Sequence, residues 1–290
     1  MFERRAYLLD VTRRVPTMRT LQELVDILAR YRYNEFRPFA EKKFPEGLDF
    51  GKLDAYCEMQ GLEMVKTVRD EFEGLFIRAE YAMVSTETER SLAGRAEDMR
   101  EQMIRAEAQG RARKAKGFLV TDFSDECCWQ PLAVSLPGII MGGNFASGGA
   151  KSSMMDLEKE LDRVMEAPLG GLLLRLGTLY LRGGAPHDHV SELFNILSHD
   201  VGYSRHPGLT QFVLDDISGV ARGVRIAAER WTDRSDWAQE IVYAANLLDC
   251  ACHRRDEARL REVRDEHGHI WRLRFMPEGR VESLSRLPRF

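Results

Sequence analysis

The chain has 290 residues, of which 44% are hydrophobic and 30% are charged, and its formal net charge at pH 7 is −4. This composition is typical of a folded globular protein with one large domain or two smaller ones. The slightly acidic balance, without a long basic run, argues against nucleic acid as a partner. No apolar run reaches membrane-spanning length, so we expect no membrane partner.

The cysteines and the N-terminus suggest where the protein works. The five cysteines are odd in number and lack the spacing of a disulfide framework. The first residues lead directly into an apolar run, without the layout of a signal peptide. Both features predict a reducing, cytoplasmic setting.

The first half of the chain alternates between predicted strands and helices. Strands are predicted at residues 6–11, 35–39, 62–68, 75–81 and 118–122, with helices at 18–31, 48–60 and 87–113. Thr17 is placed to cap the first helix. The alternation predicts a parallel sheet with right-handed crossovers. Residues 69–74 are too few for a crossover helix, so the third strand ends early or the third and fourth strands are not neighbours.

The second half of the chain is predicted to be mostly helical. Helices are predicted at residues 154–166, 169–181, 190–198, 211–230 and 235–253. Residues 269–275 and 280–284 flank a Pro-Glu-Gly turn and predict a terminal β-hairpin. We therefore expect an α/β domain over residues 1–150 and a helical region with that hairpin over residues 151–290. Residues 132–141 and 169–181 are apolar on more than one face. If the chain does not bury these segments itself, we expect them to form a homodimer interface.

The most informative segment is TDFSDECCWQP, residues 121–131. It follows an apolar run that ends in Asp122, and it adds Asp125, Glu126 and Trp129. Carboxylates that accept hydroxyl hydrogen bonds, next to an aromatic ring that stacks on a pyranose, are typical of a sugar site at the end of a barrel strand. The alternative is a strand followed by a solvated acidic turn.

Several segments together resemble the family 20 glycoside hydrolases, the β-N-acetylhexosaminidases. They are AYLLDVTRR at 6–14, YNEFRPFAEKKF at 33–44, LDAYCEMQGLEMV at 53–65, SLAGRAEDM at 91–99, TDFSDECCWQPLAVSLPG at 121–138 and RVESLSRL at 280–287. The resemblance implies a TIM-barrel-like fold, here incomplete with about five parallel strands. It also implies action on, or binding of, N-acetylated amino sugars or related glycosides. The sequence matches no cofactor motif and no metal template, so we predict neither a cofactor nor a metal.

The catalytic segment of that family has no counterpart here. Its enzymes carry an Asp-Glu pair at the end of the fourth barrel strand, and the substrate acetamido group acts as the nucleophile. In this chain the third predicted strand leads almost directly to a segment like the family's penultimate strand. Glu80 and Glu126 are the candidate stand-in acids. Glu80, among apolar neighbours, needs a raised pKa or a partner such as Arg78 or Arg95.

The predicted substrate-binding residues are Arg13, Glu41, Asp122, Asp125 and Trp129. The resemblance assigns sugar hydroxyls to Arg13, although an ion pair with Glu41 is an equal alternative. Because the carboxyl ends of parallel strands meet at one edge of a sheet, we expect these residues to line one cleft with Glu80 at its edge. The histidines at 187–189, His199 and His206 match no metal template.

Three functions stay open on the sequence. The first is a shortened, hexosaminidase-like enzyme. The second is a non-catalytic sugar-binding or scaffold protein, favoured by the missing acid because that group supplies orders of magnitude in rate. The third is a different reaction on an inherited barrel.

Overall fold

A computed structural model of the chain describes residues 1–149, 154–184, 190–199, 204–253 and 256–288. Its strands are β1 Arg4–Asp10, β2 Glu35–Ala40, β3 Glu63–Met64, β4 Thr67–Val68, β5 Tyr81–Ser85 and β6 Gly117–Asp122. They form one sheet in the order β3-β2-β1-β6-β5, with β4 also paired to β2. Every pairing is parallel. The predicted α/β class with a parallel sheet is confirmed.

Helices make up most of the remaining chain. They are α1 Met18–Arg30, α2 Phe50–Met59, α3 Arg69–Arg78, α4 Ala96–Ala112, α5 Leu136–Ala146, α6 Met154–Met165, α7 Gly170–Leu176, α8 Glu192–Ser198, α9 Gln211–Glu229, α10 Asp236–Cys252, α11 Glu257–Arg274 and α12 Arg280–Arg286. Short 3-10 helices span Leu132–Ser135 and Leu179–Gly184. Thr17 caps α1 as predicted, and its side chain accepts the Thr20 N–H at 3.2 Å.

The two faces of the sheet are covered very differently. Tyr7, Phe36 and Val120 lie on one face and join the main cluster of buried apolar side chains, to which most of the helices contribute. Leu8 and Leu119 lie on the other face, in a small cluster. Alternate residues of a strand point to opposite faces, so β1, β2, β5 and β6 each contribute side chains to both clusters.

The sheet is strongly curved toward its smaller cluster. The Tyr81 hydroxyl on β5 donates a hydrogen bond at 3.0 Å to Glu35 on β2. Two strands, β6 and β1, lie between them, and three strand spacings amount to about 14 Å in a flat sheet. A tyrosine and a glutamate side chain reach each other over that span only if the sheet bends.

Helix α3 replaces the strand predicted at residues 75–81, and that prediction was wrong. Acidic residues in its first turn favour a helix, and the Glu71 carboxylate accepts the Val68 N–H at 3.0 Å. Phe72 and Leu75, three positions apart, pack on the small cluster, while Phe76 and Ile77 are 71% and 80% exposed. An apolar run of this length fits either a strand or a short helix. The hydrogen bond between Val68 and Glu71 at the first turn favours the helix.

The chain crosses the whole sheet between β4 and β5. These strands lie at opposite edges, and α3 contacts both. The short link at residues 69–74 therefore does not join neighbouring strands, which was one of the two alternatives from the sequence. The other alternative also has a counterpart, because the predicted third strand is reduced to β3 and β4.

The end of the chain is helical, so the predicted hairpin was wrong. Residues 269–275 end α11, and 280–284 belong to α12. Gly279 precedes α12 with φ +78°, and a Cβ there would lie 2.1 Å from the Arg13 carbonyl oxygen. Only glycine meets both conditions. The turn chemistry was recognised, but it separates two helices.

The segments that suggested a homodimer are largely buried within the chain. Leu136, Ile139 and Ile140 are fully buried, as are most apolar residues of 169–181. Self-association stays a prediction, without these segments as its basis. The domain boundary near residue 150 is also untested, and residues on both sides share the main buried cluster.

Over the part of the chain that is described, no single helix has the length and hydropathy to cross a membrane. Asp156–Met165 and Gly170–Gly184, two helices bent by 116° from each other, together have the length and composition of a span.

Candidate functional site

The carboxyl edge of the sheet gathers four loops, at residues 11–17, 41–49, 86–95 and 123–131, as the strand directions require. Arg13, Glu41 and Asp122 all follow or end parallel strands at this edge. The edge is also bordered by α8 and α12, which come from far along the chain. All the predicted residues except Glu80 therefore lie at this carboxyl edge, but they do not line one cleft.

Asp122 is a buried structural acceptor. Its carboxylate accepts hydrogen bonds from the hydroxyls of Tyr7 at 2.6 Å, Thr86 at 3.0 Å and Thr88 at 3.1 Å. Burial, followed by the Asp122 charge, raises the pKa of Tyr7, so its hydroxyl stays a donor. The aspartate ties β6 to β1 and to the loop after β5. The predicted role of Asp122 in binding sugar hydroxyls is wrong in this geometry, because the protein covers its oxygens.

Asp125 accepts hydrogen bonds from two loops, the one after β5 and the one after β6. One carboxylate oxygen accepts the N–H groups of Cys127 at 2.9 Å and Cys128 at 2.8 Å. The other accepts the Arg90 N–H at 2.9 Å and the Gln130 side-chain amide at 2.5 Å. Four donors fill the four acceptor sites of a carboxylate. Asp125 therefore holds the loop after β5 against the loop after β6, and it has no acceptor left for a ligand.

Two of the residues bound by Asp125 have left-handed backbone conformations. Arg90 has φ +50° and Cys128 has φ +53°. Each such residue other than glycine costs on the order of 1 kcal/mol. The hydrogen bonds from their N–H groups to Asp125 offset this strain. Strain of this kind concentrates where a side chain must be presented in a defined direction.

Trp129 is a core residue, so the predicted stacking platform is wrong. It is 1% exposed, and its indole N–H donates to the Ser283 carbonyl at 3.2 Å. Its ring packs against Phe194 at 5.5 Å between centroids. A tryptophan next to acidic residues at a strand end had indicated a sugar platform, but helices α8 and α12 cover it.

Behind Trp129 lies a chain of buried neutral hydrogen bonds. His267 Nδ1 is 2.7 Å from the Tyr243 hydroxyl, and its Nε2 is 3.0 Å from the Ser283 hydroxyl. Ser283 donates to the Cys127 carbonyl. Burial lowers the pKa of His267 to about 3, so the imidazole is neutral near pH 7. The chain fixes α12 against the loop after β6.

Glu41 and Arg13 lie exposed at the rim. Glu41 forms a bidentate pair with Arg69, with Nε–Oε2 at 2.5 Å. Hydrogen bonding to Arg69 lowers the pKa of Glu41, and the charges of Arg69 and Arg13 add to the effect. The predicted ion pair of Arg13 with Glu41 is thus replaced by one with Arg69. Neither residue lines the cavity described below.

Glu80 lies at the opposite edge of the sheet from the other predicted residues. It directly precedes β5 and pairs with Arg78 at 2.9 Å and with Arg4, at the start of β1, at 3.9 Å. Its side chain is 37% exposed. The placement of Glu80 at the cleft edge was wrong. The alternative, an ion pair with Arg78, is confirmed.

A cavity of about 340 Å³ opens between the loops after β5 and β6, helix α8 and helix α12. This volume falls within the range of small-molecule sites. It is lined by Arg90, Asp125, Glu126, Cys127, Val190, Phe194, Asn195, Ser198, His199 and Arg286. Glu126 is exposed. Of the seven residues predicted for the site, only Asp125 and Glu126 reach this cavity.

The thiols beside the cavity are not nucleophiles. Burial is the main cause that raises the pKa of Cys127 to about 12 and that of Cys128 to about 11. A thiol with such a pKa is almost entirely protonated at neutral pH. Within the described ranges, no group of three or more His, Cys, Asp or Glu side chains is placed to hold a metal ion. The histidines at 187 and 189 lie outside those ranges.

Sequence reasoning missed the lining residues Arg90, Asn195, Ser198, His199 and Arg286. Arg90 follows a strand end, which is a usable signal. The others lie on α8 and α12, and no motif links those helices to the sheet. No protein-family model matches this chain, and the search of curated proteins also found no match. The family 20 resemblance therefore stays a prediction.

Proposed function

We propose that this protein binds an N-acetylated amino sugar or a related glycoside without hydrolysing it, on an incomplete barrel. The observation that carries the proposal is the cavity of about 340 Å³ at the carboxyl edge of the sheet. Arg90, Asn195, Ser198 and Glu126 offer it donors and acceptors suited to hydroxyl and acetamido groups, and Phe194 offers an apolar surface.

The strand order supports an incomplete barrel. In an eight-stranded barrel with strands in chain order, the last strand pairs with the first. Here β6 pairs with β1, and β5 lies outside β6. A barrel without its fourth, fifth and sixth strands would have this order. The family 20 resemblance had identified the same middle segment as missing, and the curvature that joins Tyr81 to Glu35 fits the same interpretation.

The geometry favours binding over hydrolysis. Substrate-assisted hydrolysis needs one carboxylate to orient the acetamido group and a second to act as acid. Asp125 and Glu126 are adjacent like the family's pair, but Asp125 is saturated by four donors from the chain. Glu80 lies at the other edge, so it supplies no acid to the cavity.

Hydrolysis with Glu126 as the stand-in acid is the second candidate. The observation in its favour is that Glu126 lines the cavity with an exposed side chain. A scaffold role or a different reaction on the inherited barrel would predict no sugar binding at this cavity.

Calorimetry with N-acetylglucosamine and a release assay with a chromogenic N-acetylglucosaminide separate these candidates. We would compare the parent with Glu126→Gln and with Glu80→Gln, the matched control at the opposite edge. The proposal expects binding by the parent and Glu80→Gln, roughly tenfold weaker binding by Glu126→Gln, and no release by any of them. Release that is lost only in Glu126→Gln would establish the hydrolase. Absence of both binding and release would reject both candidates.

A further inference from the structure

The geometry points to an anionic amino sugar, carrying a carboxylate or a phosphate, bound through Arg90 and Arg286 of the cavity. This inference rests on the function proposed above and specifies its ligand. The two arginines come from different parts of the chain, the loop after β5 and helix α12, and both line this cavity. Guanidinium groups bind carboxylate and phosphate in a bidentate manner.

The polar groups of the cavity divide into committed and available ones. Asp125 is committed by four hydrogen bonds from the chain. Among the described residues, Arg286 pairs with Glu282 at 3.8 Å, and its side chain is 47% exposed. In the described ranges, the Arg90 guanidinium makes no hydrogen bond or close ion pair, and its charge acts on neighbouring Glu89. The available charged groups are therefore the two guanidinium groups and the Glu126 carboxylate.

Arg286 and Glu126 both line the cavity, and the charges of both act on the Cys127 thiol. A ligand with one anionic group and several hydroxyls would place the anion on the guanidinium groups and a hydroxyl on Glu126. A neutral sugar would give neither guanidinium group an anionic partner in the ligand, and Arg286 would keep only its 3.8 Å pair with Glu282 among the described residues. The charge pattern is thus complementary to a sugar acid or a sugar phosphate.

The backbone at Arg90 adds an independent observation. Its left-handed conformation, φ +50°, suits glycine better than arginine. Arg90 does not end a helix, where such a conformation is common. Asp125 holds its N–H at 2.9 Å. The chain thus keeps an arginine in a strained position and fixes it with a buried carboxylate. Asp125 acts here as a positioning residue for Arg90.

The test compares four probes by calorimetry: N-acetylglucosamine, N-acetylglucosamine 6-phosphate, N-acetylmuramic acid and inorganic phosphate. We expect at least one anionic sugar to bind the parent about tenfold or more tightly than the neutral sugar. Arg90→Gly should abolish this advantage while the melting temperature stays the same or rises, because glycine relieves the strain. Arg286→Gln should also abolish it.

Lys114→Gly is the matched control. Lys114 is exposed, has φ +56°, and precedes β6 at the far edge of the sheet. Its replacement removes the same charge from a residue that also has a left-handed backbone, here just after the end of α4, so it should keep the preference for the anionic sugar.

The outcomes separate this inference from the proposed function. Equal binding of neutral and anionic sugars would overturn the anion preference and leave sugar binding intact. Binding of no sugar would overturn both. Inorganic phosphate bound as tightly as the sugar phosphate would overturn the sugar ligand. A lower melting temperature of Arg90→Gly, together with an unchanged preference in Arg286→Gln, would show Arg90 to be structural and overturn the inference.

Discussion

Asp125 and Glu126 are neighbours in sequence, yet their carboxylates differ in environment. The Asp125 carboxylate accepts hydrogen bonds from the chain, and the Glu126 carboxylate is exposed in a cavity. Asp125 belongs to what we call the wall: Asp122, Asp125, Trp129 and His267, whose polar atoms bind within the chain. Glu126 belongs to what we call the lining, with Arg90 and Arg286. The residues with the strongest sequence signal build the wall, and the contacts available to a ligand come from less distinctive residues.

The largest effect of a single substitution is expected at Trp129, in the wall. Trp129→Ala should lower the free energy of unfolding by about 3–5 kcal/mol, because it leaves a large cavity behind Phe194 and an unpaired carbonyl at Ser283. Denaturation in urea would measure this change. Trp231, which is only partly buried, gives the control variant Trp231→Ala, with a smaller expected loss. A Trp129→Ala protein as stable as the parent would place Trp129 in the lining instead.

The buried neutral His267 in the wall predicts that the stability of the fold depends on pH. The pKa of His267 is about 3 in the folded chain, against 6.5 for an unperturbed histidine. The unfolded state therefore takes up a proton between these values and the folded state does not, so stability falls as pH falls below about 6.5.

His267→Gln, which stays neutral, isolates this contribution from that of the carboxylates. Between pH 7 and pH 4 the parent should lose about 3 kcal/mol more than the variant. Urea denaturation at both pH values would measure it. A constant difference in stability between the two proteins would contradict a buried neutral His267.

Asp122→Asn should have the next largest effect. The amide keeps the shape but replaces one acceptor oxygen with a donor that faces hydroxyl groups, and we expect a loss of about 2 kcal/mol. The matched change at exposed Asp233 should alter the free energy of unfolding by less than about 0.5 kcal/mol. If the two variants are equally stable, the hydrogen bonds of Asp122 do not hold the strands together.

The smallest effect on stability is expected in the lining. Glu126→Gln should change the free energy of unfolding by less than about 0.5 kcal/mol, because the side chain is exposed. Thermal unfolding would check this. A large loss would move Glu126 from the lining to the wall, and it would remove the contrast with Asp125.

The elements with a clear hydrophobic period and clear end signals could be predicted from the sequence. Three of the predicted strands overlap β1, β2 and β6, and Thr17 caps α1 as its position indicated. The sequence also determined that Arg13, Glu41 and Asp122 meet at one edge, because parallel strands deliver their carboxyl ends to the same side. These conclusions need only local chemistry and strand direction.

The tertiary structure decided the remainder, because it depends on contacts between distant segments. The sequence of residues 75–81 fits a helix or a strand, and Phe72 and Leu75 pack together on the small cluster at the spacing of a helix. Trp129 is buried because α8 and α12 cover it, and Arg286 reaches the cavity on the same helix α12. An acidic segment with a tryptophan looks the same in sequence whether it faces a ligand or supports a wall. Only the positions of residues more than 60 places further along the chain distinguish the two.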